Sequence, residues 1–449
     1  MVFFILLLYV ARTNIKYLFY LGILCKPILN IDYLSLGSQY LVDAFTVNQG
    51  GTLESIVRTP LQSIYNLGLV VSFGIYFLKN GLFRKLKEDG VLGYLALWLL
   101  FGISSFLVNW VPEINFPKKI VDVFSLGCFY SFAAYFLPIS EYRKVFLFII
   151  LSAIIPLLLS LAGILYYSPD IKSILYREFR IASSFNNKNA FSYYLCIVLY
   201  VIIVSIRYNL FSKYNKRFYI LTVFILLIMM MNSSIGALLG LLFSSTLVYG
   251  RRYPKFSLAI ILVLLVLVSQ SFYLKAFIET VSFDPAERGE TSLQNRLFYW
   301  SFILENLPNY WPLGAGLGTI EPHLLDLSGL STIDAHNDYL RIIAEYGFLG
   351  FFAYLLFLGT ILKRFFYLKS QVGAWDNLDR AVYEFSGLVL FSFLVWTLSD
   401  GVLNSLEFSF LILLAVGGIS FLFQRVANLS GETETEPVRK LRDAEAPAN

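Results

Sequence analysis

The chain has 449 residues, 57% hydrophobic, 17% aromatic and only 14% charged, with a mean hydropathy of +0.68. Soluble domains carry about 25% charged residues, so this balance excludes a water-soluble enzyme. The 35 Lys+Arg and 30 Asp+Glu are scattered along the chain, which excludes a nucleic-acid footprint and leaves the lipid bilayer as the partner.

A helix crossing a membrane needs about 20 predominantly apolar residues. Residues 1–11 are apolar but lack the basic start and cleavage site of a signal peptide, so they are expected to be retained. A first span is expected within 15–36, where Lys26-Pro27 interrupts it. Apolar runs then follow at 61–78, 91–109, 120–137, 145–165, 190–206, 218–231, 235–249, 256–272, 348–362, 382–398 and 402–423. The expected fold is an all-α polytopic integral membrane protein with about 12 transmembrane helices and a large extracytoplasmic loop containing amphipathic helices. Its parts are an N-terminal bundle (1–272), the loop (273–346), C-terminal spans (347–424) and a charged, Pro-containing tail (425–449) expected to be disordered. Cys25, Cys128 and Cys196 lie in or beside apolar runs and read as packing residues, not a disulfide framework or a thiolate metal cluster.

Four polar constellations interrupt this pattern. The first, YREFRIASSFNNKNAFSYY at 176–194, places Arg177 and Arg180 three residues apart, ahead of an Asn-rich cluster ending in Asn189 that can cap the next span. Ordinary boundary arginines are the alternative. The second, SLQNRLFYWSFILENL at 292–307, repeats Leu293, Leu297, Trp300, Leu304 and Leu307 at helical spacing and reads as an amphipathic interfacial helix. Arg296, flanked by Gln294 and Asn295, stands beside that stripe; its planar donor fork can clamp a diphosphate, or the arginine can simply snorkel.

The third, PLGAGLGT at 312–319, has no strand before it and Thr319 where a dinucleotide fingerprint needs its third glycine, so it reads as a tight, backbone-exposing turn. The fourth is IDAHNDYLRIIAEYGFLG at 333–350. Asp334 is the expected cap, Gly347 the expected stop, and His336 falls in the first turn, where the helix dipole favours anions and a neutral imidazole suited to general-base work. Packing at the membrane surface is the alternative for His336. Glu345 lies nine residues on, at the opposite face, and its i,i+4 partner is Arg341.

Lys and Arg in short loops favour the cytoplasmic side. Lys79 to Lys87, Arg143-Lys144, Arg207 to Arg217, Arg251 to Lys255 and Lys363 to Lys369 alternate as serial threading requires, and Lys118-Lys119 fall on the other side. Both termini are thereby expected inside and the long loop outside. With two histidines thirteen residues apart and no HExxH or Asp-x-Asp pattern outside, neither a metal nor a cofactor is expected.

His336-Asn337-Asp338-Tyr339-Leu340, continuing to Glu345-Tyr346-Gly347-Phe348-Leu349-Gly350, resembles the H-N-x-x-L…E-x-G-x-x-G signature of the O-antigen ligase and polymerase superfamily. PLGAGLGT, the Arg296 helix before it, and Arg180 ahead of SSFNNKNAFSYYL resemble further family segments in the same order. The chain departs from the family at Ser234-Ile235-Gly236-Ala237, which lacks the usual arginine, and at Ser183, where glycine is usual. The resemblance implies a glycosyltransferase in the bacterial inner membrane, acting on its outer face, whose donor is an undecaprenyl-diphosphate-linked glycan and whose acceptor is a glycan or lipid hydroxyl. It further implies catalytic roles for His336 and Arg296, with Arg180, Arg177, Asn189, Gln294, Asn337 and Arg341 as substrate-binding candidates. A transporter or flippase for lipid-linked sugars is the competing class; it would place ionisable groups within the spans, where Asp122, Asp400 and Glu407 come nearest.

Overall fold

The computed structural model describes residues 14–28, 60–81, 89–109, 116–167, 183–185, 188–232, 234–250, 292–320, 336–372, 375–404 and 408–429, with Leu7, Val10 and Arg84 besides. Every regular element among them is helical. In chain order the α-helices are α1 (Ile15–Cys25), α2 (Pro60–Lys79), α3 (Gly90–Val108), α4 (Phe116–Tyr135), α5 (Ile139–Ser152), α6 (Ile154–Tyr167) and α7 (Lys188–Arg207). They continue with α8 (Asn215–Asn232), α9 (Ile235–Tyr249), α10 (Ser292–Asn306), α11 (Asp338–Lys369), α12 (Asn377–Ser399) and α13 (Ser409–Leu429).

Among the described residues seven stretches are long and apolar enough to cross a membrane: Gly90–Val108, Ile139–Leu165, Lys188–Arg207, Ser212–Asn232, Asp338–Lys369, Asn377–Leu398 and Ser409–Asn428. Against the expected twelve, Ile15–Cys25, Ser63–Lys79 and Ile235–Tyr249 are apolar but shorter. Helix α4 is long enough, but Lys118, Lys119 and Asp122 charge its first two turns. The runs at 29–36 and 256–272 lie outside the described residues, as do 273–291, 321–335 with His323, Arg177, Arg180 and the tail from 430. The chain is a multi-pass membrane protein by its helices.

Helix starts follow from local chemistry. The side chains of Asn14, Asp89 and Asp376 each accept a free backbone N–H of the first turn of α1, α3 and α12. Pro138 precedes α5, and a break at Ala153 divides the single run expected over 145–165 into α5 and α6.

Helices α3 and α11 run antiparallel, because Asp89 at the start of α3 pairs with Arg364 near the end of α11, at 2.7 Å, while Ser105 near the end of α3 donates to the Glu345 carbonyl near the start of α11. Contacts of this kind give the bundle two distinct ends. At one, Asp89 also meets Tyr135 and Gln424, and Arg364 meets Ser420. The same end holds the pair Arg425–Asp379 and the cluster of Glu384 with Arg207, Tyr208 and Tyr249. Several of the basic residues that alternate in the sequence thus gather at one end. The opposite end is formed by the starts of α7 and α11 and by the residues that follow α12.

Candidate active site

Helix α11 opens with Asn337, whose side-chain oxygen accepts the N–H groups of Tyr339 and Leu340 at 3.0 and 3.1 Å. The expected cap was Asp334, with His336 inside the first turn; Asn337 takes that role instead, and His336 stands just outside the helix. Its backbone has φ 43°, a left-handed conformation that non-glycine residues adopt at a cost and that clusters at functional sites. The position frees His336 to face another element. Its Nδ1 lies 3.1 Å from Oδ1 of Asp400, the residue that follows α12.

Asp400 is the meeting point of three of the expected site residues. Burial alone would raise its pKa, but the hydrogen bond and charge of His336, the charge of Arg296 and the hydrogen bond of Asn189 outweigh that and hold the carboxyl below its usual value. Tyr193 also donates to Oδ2 at 3.4 Å, and the Gly401 N–H to Oδ1 at 3.0 Å. The contributors come from the first two turns of α7, from α10, from the approach to α11 and from the end of α12. An ionised Asp400 favours the imidazole tautomer with its proton on Nδ1, which leaves Nε2 with a lone pair. A histidine 29% exposed in its side chain and oriented this way can take a proton from a hydroxyl.

Two motifs that are apart in sequence build the frame around this histidine. The first part of α11 ends at Gly347, with φ 69° and ψ −177°, and the helix resumes beyond that kink. The terminal carbonyls are met by the 312–319 turn: Ala315 donates to Ala344 at 2.7 Å and Gly316 to Glu345 at 3.1 Å. Asn109 at the end of α3 secures the turn through the Gly314 carbonyl at 2.7 Å. Backbone lies so close to backbone here that a Cβ on Gly347 would stand 2.0 Å from the Pro312 oxygen, and one on Gly314 2.3 Å from the Gly347 nitrogen. The glycines serve close packing of two chain segments, in keeping with a structural turn.

Arg296 lies on α10, which is fixed by a small separate core of Tyr299, Ile303, Ala315, Ile320 and Ala344. Of the stripe read from the sequence, Leu307 packs against this core while Leu304 is 52% exposed, and the residue most deeply buried is Ile303, at 1%. Gln294 sits two residues before Arg296, about 200° around the helix. Asn337 spends its oxygen on the cap.

Arg341 occupies a different place from Arg296. It is buried, its Nε donates to Glu345 at 3.1 Å, and both line a partly open cavity of about 60 Å³ together with Lys119, Asp122 and Asp338. Three carboxylates make that cavity inhospitable to a diphosphate. Helix α11 buries Asp338, Arg341 and Glu345 as well as Ala344, while Leu340 and Ile343 are only half-buried. Among the described residues no group of three or more His, Cys, Asp or Glu is placed to hold a metal ion.

Sequence reading noted Asp400 only as a charge near the end of a span and missed its contact with His336. Its signal was a carboxylate retained at the end of an apolar run, which needs a partner to be tolerated there.

Residues 218–355 match the model of a protein family described as O-Antigen ligase. The matched segment holds Arg296, the 312–319 turn, His336 and the Gly347 kink, while Asn189 and Asp400 lie outside it. No curated protein matches the chain. Within the helical membrane bundle, residues 218–355 are thus similar to the O-antigen ligase family.

Proposed function

We propose that the protein transfers or polymerises an undecaprenyl-diphosphate-linked glycan at the outer face of the bacterial inner membrane, without a metal ion. The observation that carries this reading is the convergence of His336, Arg296 and Asn189 on Asp400. In the proposed reaction Nε2 of His336 takes the proton of an acceptor hydroxyl as its oxygen attacks the anomeric carbon. The bond from that carbon to the diphosphate oxygen breaks, and the electron pair leaves on the diphosphate. Arg296, with Arg180 and Arg177 as further candidates, binds the diphosphate and offsets the charge that builds on it. Asn189 and Gln294 are candidate contacts to the donor. Asp400 holds the imidazole in its working tautomer, as the acid of a hydrolytic triad does. The driving force is the diphosphate leaving group. Polymerisation of glycan repeats is the narrower reading, with ligation to another envelope polymer using the same groups.

Purified protein in lipid vesicles, supplied with the lipid-linked glycan and an acceptor, should form glycosidic product and release undecaprenyl diphosphate. His336→Ala should lower the rate by at least about 100-fold, the usual scale for removing a general base, and Arg296→Ala should lower it comparably. Transfer at the wild-type rate in both variants would refute the assignment. Movement of the lipid-linked glycan across the bilayer with no transfer product would favour a transporter.

A further inference from the structure

Asp338 is two residues past His336 and is almost fully buried, at 1% exposure. A carboxylate at the first position of a helix ordinarily accepts that helix's own free N–H groups. Here those of Tyr339 and Leu340 are taken by Asn337. Asp338 reaches across to another element instead, and its Oδ2 accepts the N–H of Leu403 at 3.0 Å. Leu403 belongs to the short helical turn Val402–Asn404 directly after Asp400 and Gly401. The start of α11 and the segment after α12 are thus clamped at two points, His336 to Asp400 and Asp338 to Leu403.

The two carboxyls of the clamp, Asp338 and Asp400, are buried, while His336 and Leu403 are half-buried. Behind Asp338 lies the cavity of about 60 Å³ where Arg341, Glu345, Asp122 and Lys119 also face in. Asp338 interacts with the charges of both Arg341 and Asp400. The volume admits a few water molecules, each needing at least about 10–15 Å³. The Trp98 Nε1–H, which is buried, has no acceptor among the described residues and belongs to a residue lining the same cavity, would suit one of them. An aliphatic side chain would fill this space without the cost of burying a carboxylate, so the charge at 338 calls for a specific use, and its bond to Leu403 supplies one.

We propose that Asp338 is a positioning residue: by anchoring the turn at 402–404 it sets the place of Asp400, and through Asp400 the orientation of His336. The proposal takes its activity assay from the glycosyl-transfer reading, and a second readout is independent of that reading. Asp338→Ala should lower kcat about tenfold or more with KM little changed, while Asp338→Asn, which keeps an oxygen acceptor for Leu403, should recover most of the rate. The double variant Asp338→Ala/Asp400→Ala should be no slower than Asp400→Ala alone, because residues acting through one another are not additive. The activity-independent readout is carbethoxylation of His336 in a His323→Gln background, which leaves one imidazole in the chain. The pH profile of that modification should move to lower pH by the same amount in Asp338→Ala and Asp400→Ala, and no further in the double variant. Multiplied losses in the double variant, or an Asp338→Ala profile identical to that of the parent, would overturn the proposal. Absence of transfer by the parent together with the expected carbethoxylation shifts would sink the glycosyl-transfer reading and leave the positioning role standing.

Discussion

A histidine serves as a base near neutral pH when one ring nitrogen is held and the other is left open, and Asp400 supplies the hold on His336. Asp400→Asn keeps the shape but can donate to Nδ1 and so favours the wrong tautomer. Transfer should fall about 100-fold or more, measured as kcat with purified protein. The same carboxylate links stability to pH. Its folded pKa is depressed, so its stabilisation is complete above the ordinary carboxylate pKa of about 4 and is lost as the pH falls through the lower folded value. The difference in thermal midpoint between wild type and Asp400→Asn should therefore be present at pH 7 and shrink at acid pH. His336 and Arg296 were legible in the sequence because each stands beside a helical pattern with its own polar neighbours. Asp400 was not, since its partner lies 64 residues away and no local periodicity links the two.

At the scale of elements, the Gly347 kink and the 312–319 turn form one unit. The sequence marked both, one as a helix stop and the other as a tight turn, but could not show that each is the other's partner, because that contact is backbone to backbone and leaves no side-chain pattern. Gly347→Ala should cost about 1–3 kcal/mol from backbone conformation alone, since φ 69° with ψ −177° is a region that essentially only glycine occupies. The clash with the Pro312 oxygen adds to that. Thermal unfolding in detergent should show the loss, and Gly314→Ala should reproduce it because it breaks the same contact. Helix α11 teaches a related point. The i,i+4 rule identified the Arg341–Glu345 pair, but nothing local showed that this pair is buried, because the charged residues it faces, Lys119 and Asp122, come from α4.

For the whole molecule, hydrophobic runs revealed a helical membrane bundle but not its full count of spans. Among the described residues, a short helix such as α1 and a charged start such as that of α4 fall outside the length and apolarity of the seven clear crossings. Arg207 and Arg364, from two of the alternating basic loops, share one end, and there their buried acidic partners hold the helices in register. Arg364→Met should strand Asp89 in the core and destabilise the fold by about 3–5 kcal/mol, the usual cost of breaking a buried pair. Because Arg364 is at the end away from His336, kcat per folded molecule should stay unchanged, a combination that unfolding and activity assays on one sample can check.

In the proposed site His336 and Arg296 have separate tasks, the histidine on the acceptor proton and the arginine on the diphosphate. Equilibrium binding of undecaprenyl diphosphate to the purified protein tests this most directly. Arg296→Ala should weaken binding about tenfold or more, the scale of a lost charge-assisted bond, while His336→Ala should bind like wild type. Equal binding by wild type and Arg296→Ala, or a loss confined to His336→Ala, would contradict it.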